Sequence, residues 1–412
     1  MRQVFINIKQ LLQVRSKEIK NVAGKSMKEL PMIENAFICI ENDIISDFGE
    51  MKSYVNKKND KVTDVSGKLI LPSWCDSHSH VVYAGDRSSE FIDRINGLSY
   101  QEIANRGGGI LNSAKKLQNT DEELLFNQSM SRVESLIKLG TGALEIKSGY
   151  GLTFDGELKM LRVINKINLQ TPMKIKSTFL GAHAIPETYK KNKSSYLDLI
   201  IDKMLPKIND EDLADFIDVF CEKGYFDLND TEIILNAAKK YGLIPKIHVN
   251  QFNSFGGIDL AVKYKALSVD HLEVISEKDI ESLKKSKTIA VALPGCSFYL
   301  GIPYTQARKI ISSGLPLALA TDFNPGTAPS GNMNFVISLA CIKMKMSPEE
   351  AINAATINGA YAMGISDNYG SIGIGKKANL IITKEMDSYE KIPYFFGENP
   401  VSEIILNGKY YS

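Results

Sequence analysis

LILPSWCDSHSHVVYAGDR, residues 69–87, is an apolar run that ends in two histidines one residue apart. Side chains alternate along a strand, so His78 and His80 face the same side. Two neutral imidazoles on one side supply half of a divalent-metal site. Seven similar runs follow: GALEIKS (142–148), KIKSTFLGAH (174–183), DFIDVFCE (215–222), IPKIHVN (244–250), ALSVDHL (266–272), TIAVALPG (288–295) and PLALATDF (316–323). Between them lie segments with apolar residues at three- and four-residue spacing, such as FDGELKMLRVINKI, DTEIILNAAKKYG, EKDIESLKKSK and TQARKIISSG. Eight strand–helix units over residues 68–364 predict an α/β fold, a (β/α)8 TIM-like barrel.

The two ends read differently. Residues 1–67 carry short β-type runs (VFINIKQLLQV, AFICIENDIISDF, KVTDV), and residues 365–412 carry two more (SIGIGKKANLIIT, VSEIILNGKYYS). They are expected to pair into one small β-sandwich domain built from both termini. The 412 residues carry 49 Lys plus Arg against 48 Asp plus Glu, a net charge of +1. That balance gives no reason to expect nucleic acid or an anionic membrane as a partner. The first residues lack the apolar core of a signal peptide, and no 18-residue apolar run occurs. Five cysteines without a CxxC spacing read as reduced thiols, which points to the cytoplasm.

All five histidines, His78, His80, His183, His248 and His271, fall at the C-terminal end of an expected barrel strand, where βα loops surround one pocket. His248 ends the fifth strand and Asp322 the eighth, so imidazole and carboxylate donors from three strands converge on a site suited to Zn or Fe. Asp322 could also carry a proton to a leaving group, and His271 is the other proton-transfer candidate. His183 in FLGAHA suits a hydrogen bond to a substrate carbonyl or a buried structural role. Arg87 in AGDRSSEF could hold a carboxylate bidentately with help from Tyr150, or could pair with Asp86 or Glu90. Lys147 lies on the wrong strand for a carboxylated lysine bridging two metals, and Cys221 lacks a neighbouring partner that would make it a nucleophile. Gly107–Gly109 lacks the spacing of a phosphate loop and reads as a loop near the pocket.

CDSHSHVVYAGDRSSEF, EIKSGYGL, TFLGAHAIP, DVFCEKGYF, KIHVNQF, SVDHLE and TDFNPGT together resemble the amidohydrolase superfamily. Within it, AGDR, KSGYG and DFNPG narrow the resemblance to the imidazolonepropionase family, ring-opening enzymes of histidine degradation. The resemblance spans nearly the whole chain in order. It implies one divalent metal per chain, Zn or Fe, held by His78, His80, His248 and Asp322. It further implies that Arg87, Tyr150 and His183 bind the substrate with Gln251, Asn324, Gly326 and Thr327, and that Tyr100 lies nearby. The small-molecule substrate would be 4-imidazolone-5-propanoate, and a homodimer is the default assembly. The catalytic set is His271, Asp322 and Gln251. Some members carry Glu where this chain has Gln251, so the base would be His271 or Asp322. PSWCDSHSH also departs from the commoner wording before the histidine pair. Deaminases of guanine or cytosine type share the histidines and the aspartate, but Gln251 and the Arg87 clamp count against them. A non-catalytic scaffold barrel would have lost the ligands. Replacing Arg87 with Met is expected to raise KM strongly for a propanoate-bearing substrate in steady-state kinetics; an unchanged KM removes the clamp.

Overall fold

A computed structural model describes residues 2–98, 102–103 and 106–411. Strands β1 (Arg2–Leu12), β2 (Met32–Glu41), β3 (Ile44–Glu50), β4 (Asp60–Asp64) and β5 (Leu69–Pro72) lead into the barrel strands. These are β6 (Trp74–Asp76), β7 (Thr141–Lys147), β8 (Lys174–Ala182), β9 (Phe216–Cys221), β10 (Ile244–Val249), β11 (Ser268–His271), β12 (Ile289–Ala292) and β13 (Leu317–Leu319). The chain returns through β14 (Leu380–Thr383), β15 (Val401–Leu406) and β16 (Lys409–Tyr410).

β6 to β13 pair in sequence order, each parallel to the next. Almost every residue in them is buried, as strands covered on both faces must be. The circle closes just past the strand ends through a parallel bridge of Ser79 with Phe323. Asp322 N–H donates to the His78 carbonyl at 2.9 Å, and His80 N–H donates to the Phe323 carbonyl at 2.8 Å. The seam of the barrel therefore runs through the HxH pair itself. Helices wrap the outside, several with caps that the sequence supplies: Asp227, Ser276 and Ser347 each make a reciprocal capping box with a carboxylate three residues on.

The terminal strands form one connected sheet in the order β16-β15-β14-β5-β1-β2-β3, with β4 also on β1. β1 is long enough for one edge to pair with β4 at Arg2–Ile6 and with β5 at Gln10–Leu11. The run 69–78, read as a single barrel strand, is split. Leu69–Pro72 pairs with β1 and β14 in the terminal sheet, while Trp74–Asp76 opens the barrel. The switch is made at Ser73, whose N–H donates to the Asn379 carbonyl at 2.9 Å, before Trp74 N–H turns to Gly140 at 2.9 Å. Gly142 makes room for the switch, since a Cβ there would sit 2.0 Å from Ser73 Oγ.

The helix Ile357–Ala362 lies against β6 at Gly359, where a Cβ would meet the Cys75 carbonyl oxygen at 2.2 Å. Gly359→Ala is expected to cost about 1–3 kcal/mol through overpacking against backbone. The check is the midpoint of urea unfolding, which should fall with little change in slope.

Candidate active site

Four imidazoles and one carboxylate meet at the C-terminal mouth of the barrel. His78 and His80 follow β6, and their Nε2 atoms lie 3.3 Å apart. Asp322 Oδ1 is 3.5 Å from each of those nitrogens. The His248 ring centroid is 4.4 Å from that of His78, and its Nε2 is buried with no hydrogen-bond partner among the described residues. Donor atoms of His78, His248 and His271 also fall within 4.8 Å of one another. Asp322 and His271 sit at left-handed φ values of 54° and 89°, conformations that cost energy in non-glycine residues and persist only where surroundings impose them.

The imidazoles are aimed from below. His78 Nδ1 donates to Asp270 Oδ2 at 2.7 Å, and His248 Nδ1 donates to Asp218 Oδ2 at 2.9 Å. A carboxylate only accepts, so each contact places the proton on Nδ1 and leaves the Nε2 lone pair able to hold a metal. Burial, aided by Lys147 and neighbouring histidines, holds His78 well below the ordinary imidazole range; burial and His183 do the same for His80. Both are therefore neutral ligands at working pH. Burial pushes Asp322 up to about 6, against the pull of His271 and His248. An orphaned Nε2, two neutral partners and a buried carboxylate together fit a divalent ion.

Lys147 makes no bridge between metals. It is wholly buried, with Glu145 Oε1 at 2.6 Å and Asp218 Oδ2 at 2.8 Å. Lys246 pairs with the other oxygen of Glu145 and donates to the carbonyls of Ser77 and Ala362 at 3.0 and 3.1 Å. Asp218, Asp270, Glu145 and Lys246 escaped the sequence reading. The signal was present in DFIDVF and SVDHLE, where an acidic residue occupies an inward strand position in otherwise apolar runs.

Of the ion pairs open to Arg87, the structure shows the one with Glu90. Its Nε donates to Glu90 Oε2 at 2.9 Å, yet the buried guanidinium also lines the cavity above the imidazoles. Gly326 supports it by lacking a side chain, since a Cβ there would lie 2.0 Å from Arg87 Cζ. Glu90 Oε1 accepts from Gly109 N–H and Asn112 Nδ2, both at 3.1 Å, which ties down the glycine run. Tyr150 lines the same cavity on a loop gripped by Glu157, whose carboxylate accepts from Gly149, Gly151 and Leu152 N–H at 3.1, 2.8 and 2.9 Å. Gln251 is held similarly, because Glu222 accepts from Phe252 and Asn253 N–H beside it at 2.9 and 3.2 Å.

His183 is held by the loop that carries Tyr150. Its Nδ1 lies 3.0 Å from the Gly149 carbonyl, an acceptor only, so Nδ1 carries the proton. Burial, with His248 nearby, lowers its pKa to about 3, so the ring stays neutral and Nε2 is an acceptor. Asn324 differs from a free substrate donor. Its Oδ1 accepts from Gly326 and Thr327 N–H at 2.9 and 2.7 Å, and its Nδ2 donates to the Asp322 carbonyl at 2.7 Å. Asn324 and Thr327 line the cavity, with Phe220 and Tyr225, which sequence reasoning missed. Cys221 is buried away from the cavity lining, its thiol pushed up to about 11 by burial. Tyr100 lies outside the described residues.

A closed parallel barrel with an HxH pair, a third histidine and an aspartate at its mouth defines a metal-dependent hydrolase of amidohydrolase type. The amidohydrolase family profile matches residues 226–410. Among solved structures, E. coli guanine deaminase superposes with a TM-score of 0.76 at 15% identity, covering 100% of this chain and 99% of that one. A zinc-bound adenosine deaminase from Xanthomonas campestris gives 0.73 at 14% identity, with 99% and 92% coverage. Those identities speak to fold alone. Curated imidazolonepropionases are far nearer: that of Flavobacterium johnsoniae is 62% identical over 98% of both chains. That of Geobacillus thermodenitrificans is 39% identical over 99% of this chain and 98% of its own. The chain belongs to the imidazolonepropionase family. Asp218→Asn and Asp270→Asn should each weaken metal retention by about 10–100-fold, measured by competition against a chelator; equal retention would show that the histidines need no aiming.

Proposed function

We propose that this chain hydrolyses the ring amide C–N bond of 4-imidazolone-5-propanoate, giving N-formimidoyl-L-glutamate in L-histidine degradation. Arg87 carries this reading. It is a buried guanidinium, braced by Glu90 and seated where Gly326 leaves space, on the wall of the cavity that holds the imidazole cluster. A cationic fork in that position recognises the carboxylate of a small acid and has no counterpart need in a purine or pyrimidine.

One divalent ion, Zn or Fe, would be held by His78, His80, His248 and Asp322. When bound, it would polarise the ring carbonyl and bring the pKa of a water to about 7. The remaining work falls to the chain's own groups. Arg87 and Tyr150 grip the propanoate tail and fix the ring in place. His183 Nε2 accepts a ring N–H, with Nδ1 turned to the Gly149 carbonyl. His271 is the better proton acceptor of the two candidates. Burial lowers its pKa, but Glu273 at 3.3 Å from Nδ1, with Asp322 and Asp270, outweighs burial and raises it overall. With Nδ1–H on Glu273, its Nε2 takes the proton from water and passes it to the departing ring nitrogen, with Asp322 as the second station. Gln251 has no proton to trade; it lines the cavity and donates to Cys296 Sγ at 3.5 Å.

A cytoplasmic homodimer completes the reading. Five free cysteines support the compartment, and the exposed apolar group Ile342, Tyr394 and Phe396 supports a second copy. No described helix is long and apolar enough to cross a membrane. The test pairs metal analysis of the purified protein with turnover of 4-imidazolone-5-propanoate, followed by loss of its ultraviolet absorbance. About one Zn or Fe per chain with turnover is the expected result. Ammonia release from guanine or cytosine without imidazolone turnover would replace this reading with a deaminase.

A further inference from the structure

Beside the four-ligand cluster stands a second group of metal-binding side chains that the reaction leaves without an ion. His271 ends β11, Glu273 follows two residues later, and Cys296 lies on the helix Pro294–Leu300 after β12. One donor atom from each falls within 4.8 Å of the others, and all three residues are buried. His271 Nδ1 is 3.3 Å from Glu273 Oε1, which also accepts from Ser297 Oγ at 3.4 Å. Glu273 Oε2 is buried with no hydrogen-bond partner among the described residues. A buried carboxylate oxygen without a partner costs free energy that a cation would recover.

Imidazole, carboxylate and thiol are the donor set of zinc, and the sulfur excludes Mg²⁺ and Ca²⁺ as competitors. We propose that His271, Glu273 and Cys296 bind a second, thiophilic divalent ion, and that this ion inhibits the enzyme. The Cys296 thiol loses its proton to solvent as the ion binds, so the site fills more weakly than one made of neutral imidazoles. The inhibition, which rests on the role given to His271 above, follows from proton placement. With Nδ1 bound to the ion, a neutral His271 carries its proton on Nε2 and can accept none. The ion also takes the sulfur that now receives Gln251 Nε2. Excess zinc would therefore remove the base and loosen a cavity-lining side chain in one event.

The experiment uses holoenzyme whose first site is filled. Equilibrium dialysis against Zn²⁺ should show a second, weaker equivalent, absent in Cys296→Ala and in Glu273→Gln. Co²⁺ added to the same holoenzyme should give a thiolate charge-transfer band, because the first site has no sulfur. That band should vanish in Cys296→Ala. Inhibition by added Zn²⁺, scored against each variant's own rate, should weaken by at least about 10-fold, the cost of disturbing even the supports of a ligand. Turnover with no second equivalent and no cobalt band overturns the site while leaving the ring-opening reading intact. A band and second equivalent without imidazolone turnover would establish the site and sink the reaction instead. If either variant fails to fold, the wild-type cobalt band and stoichiometry decide alone, since no other such donor set among the described residues contains sulfur.

Discussion

Lys147, wholly buried at the end of β7, has its ammonium between Glu145, Asp218 and, at 3.6 Å, Asp270. Like charges packed together in the interior repel unless a cation stands between them. Burial acts to raise Asp218, but His248 and Lys147 overcome it and hold that carboxyl well below its usual range. Because Asp218 stays ionised, it accepts from His248 Nδ1 and turns Nε2 to the mouth of the barrel. Asp270 Oδ2 likewise accepts from His78 Nδ1, at 2.7 Å. Lys147 thus helps to hold charged the carboxylate that orients His248, and lies 3.6 Å from the one that orients His78. Lys246, from the adjoining strand pair, closes the other side of Glu145, so neither buried base lacks an acid.

The floor of the site is thus ionic, whereas its walls depend on backbone N–H groups. Three buried glutamates each pin one loop: Glu90 beneath Arg87, Glu157 beneath Tyr150 and Glu222 beside Gln251. Charge-assisted bonds to amides are stronger than neutral ones and fix backbone without adding bulk. Glu157 has the widest reach. By fixing Gly149 it fixes the carbonyl that receives His183 Nδ1–H, and so sets which nitrogen of His183 meets the substrate. Loops carry the substrate groups because loops can vary, but a variable loop needs such anchors before it can hold a geometry.

What could be read from the chain follows the range of each interaction. Eight βα units and the clustering of five histidines are visible because strand periodicity and motif position are local. The Ser73 switch is not, because Leu69–Pro72 is recruited by residues 380–382, more than 300 positions away. His183 shows the same limit: nothing in FLGAHA reveals its tautomer, which a carbonyl 34 residues earlier dictates. The sequence around Arg87 offers either an ion pair or a substrate clamp, and the fold shows the ion pair with Glu90 on a side chain that also lines the cavity. Asp218 and Asp270 were readable in principle. Acidic residues inside apolar strands have no cheap structural excuse, and their position beneath strand-end histidines says what they orient.

The barrel by itself does not select a reaction. Guanine deaminase covers this chain end to end at 15% identity, so the same frame serves purine chemistry. What separates the two lies at the ends of a few strands and in the loops above them. A deaminase must protonate a departing amine and hold a flat, uncharged ring. Here the residue three after His248 is Gln251, which cannot supply that proton, and the cavity wall carries a guanidinium wedged against a glycine. A Cβ at position 326 would lie 2.0 Å from Arg87 Cζ, so a side chain there would displace the guanidinium from its present seat. Arg87 packs against Gly326, four residues after Asp322, so the cationic wall of the cavity and the carboxylate beside the imidazoles are tied to one short stretch of chain after β13.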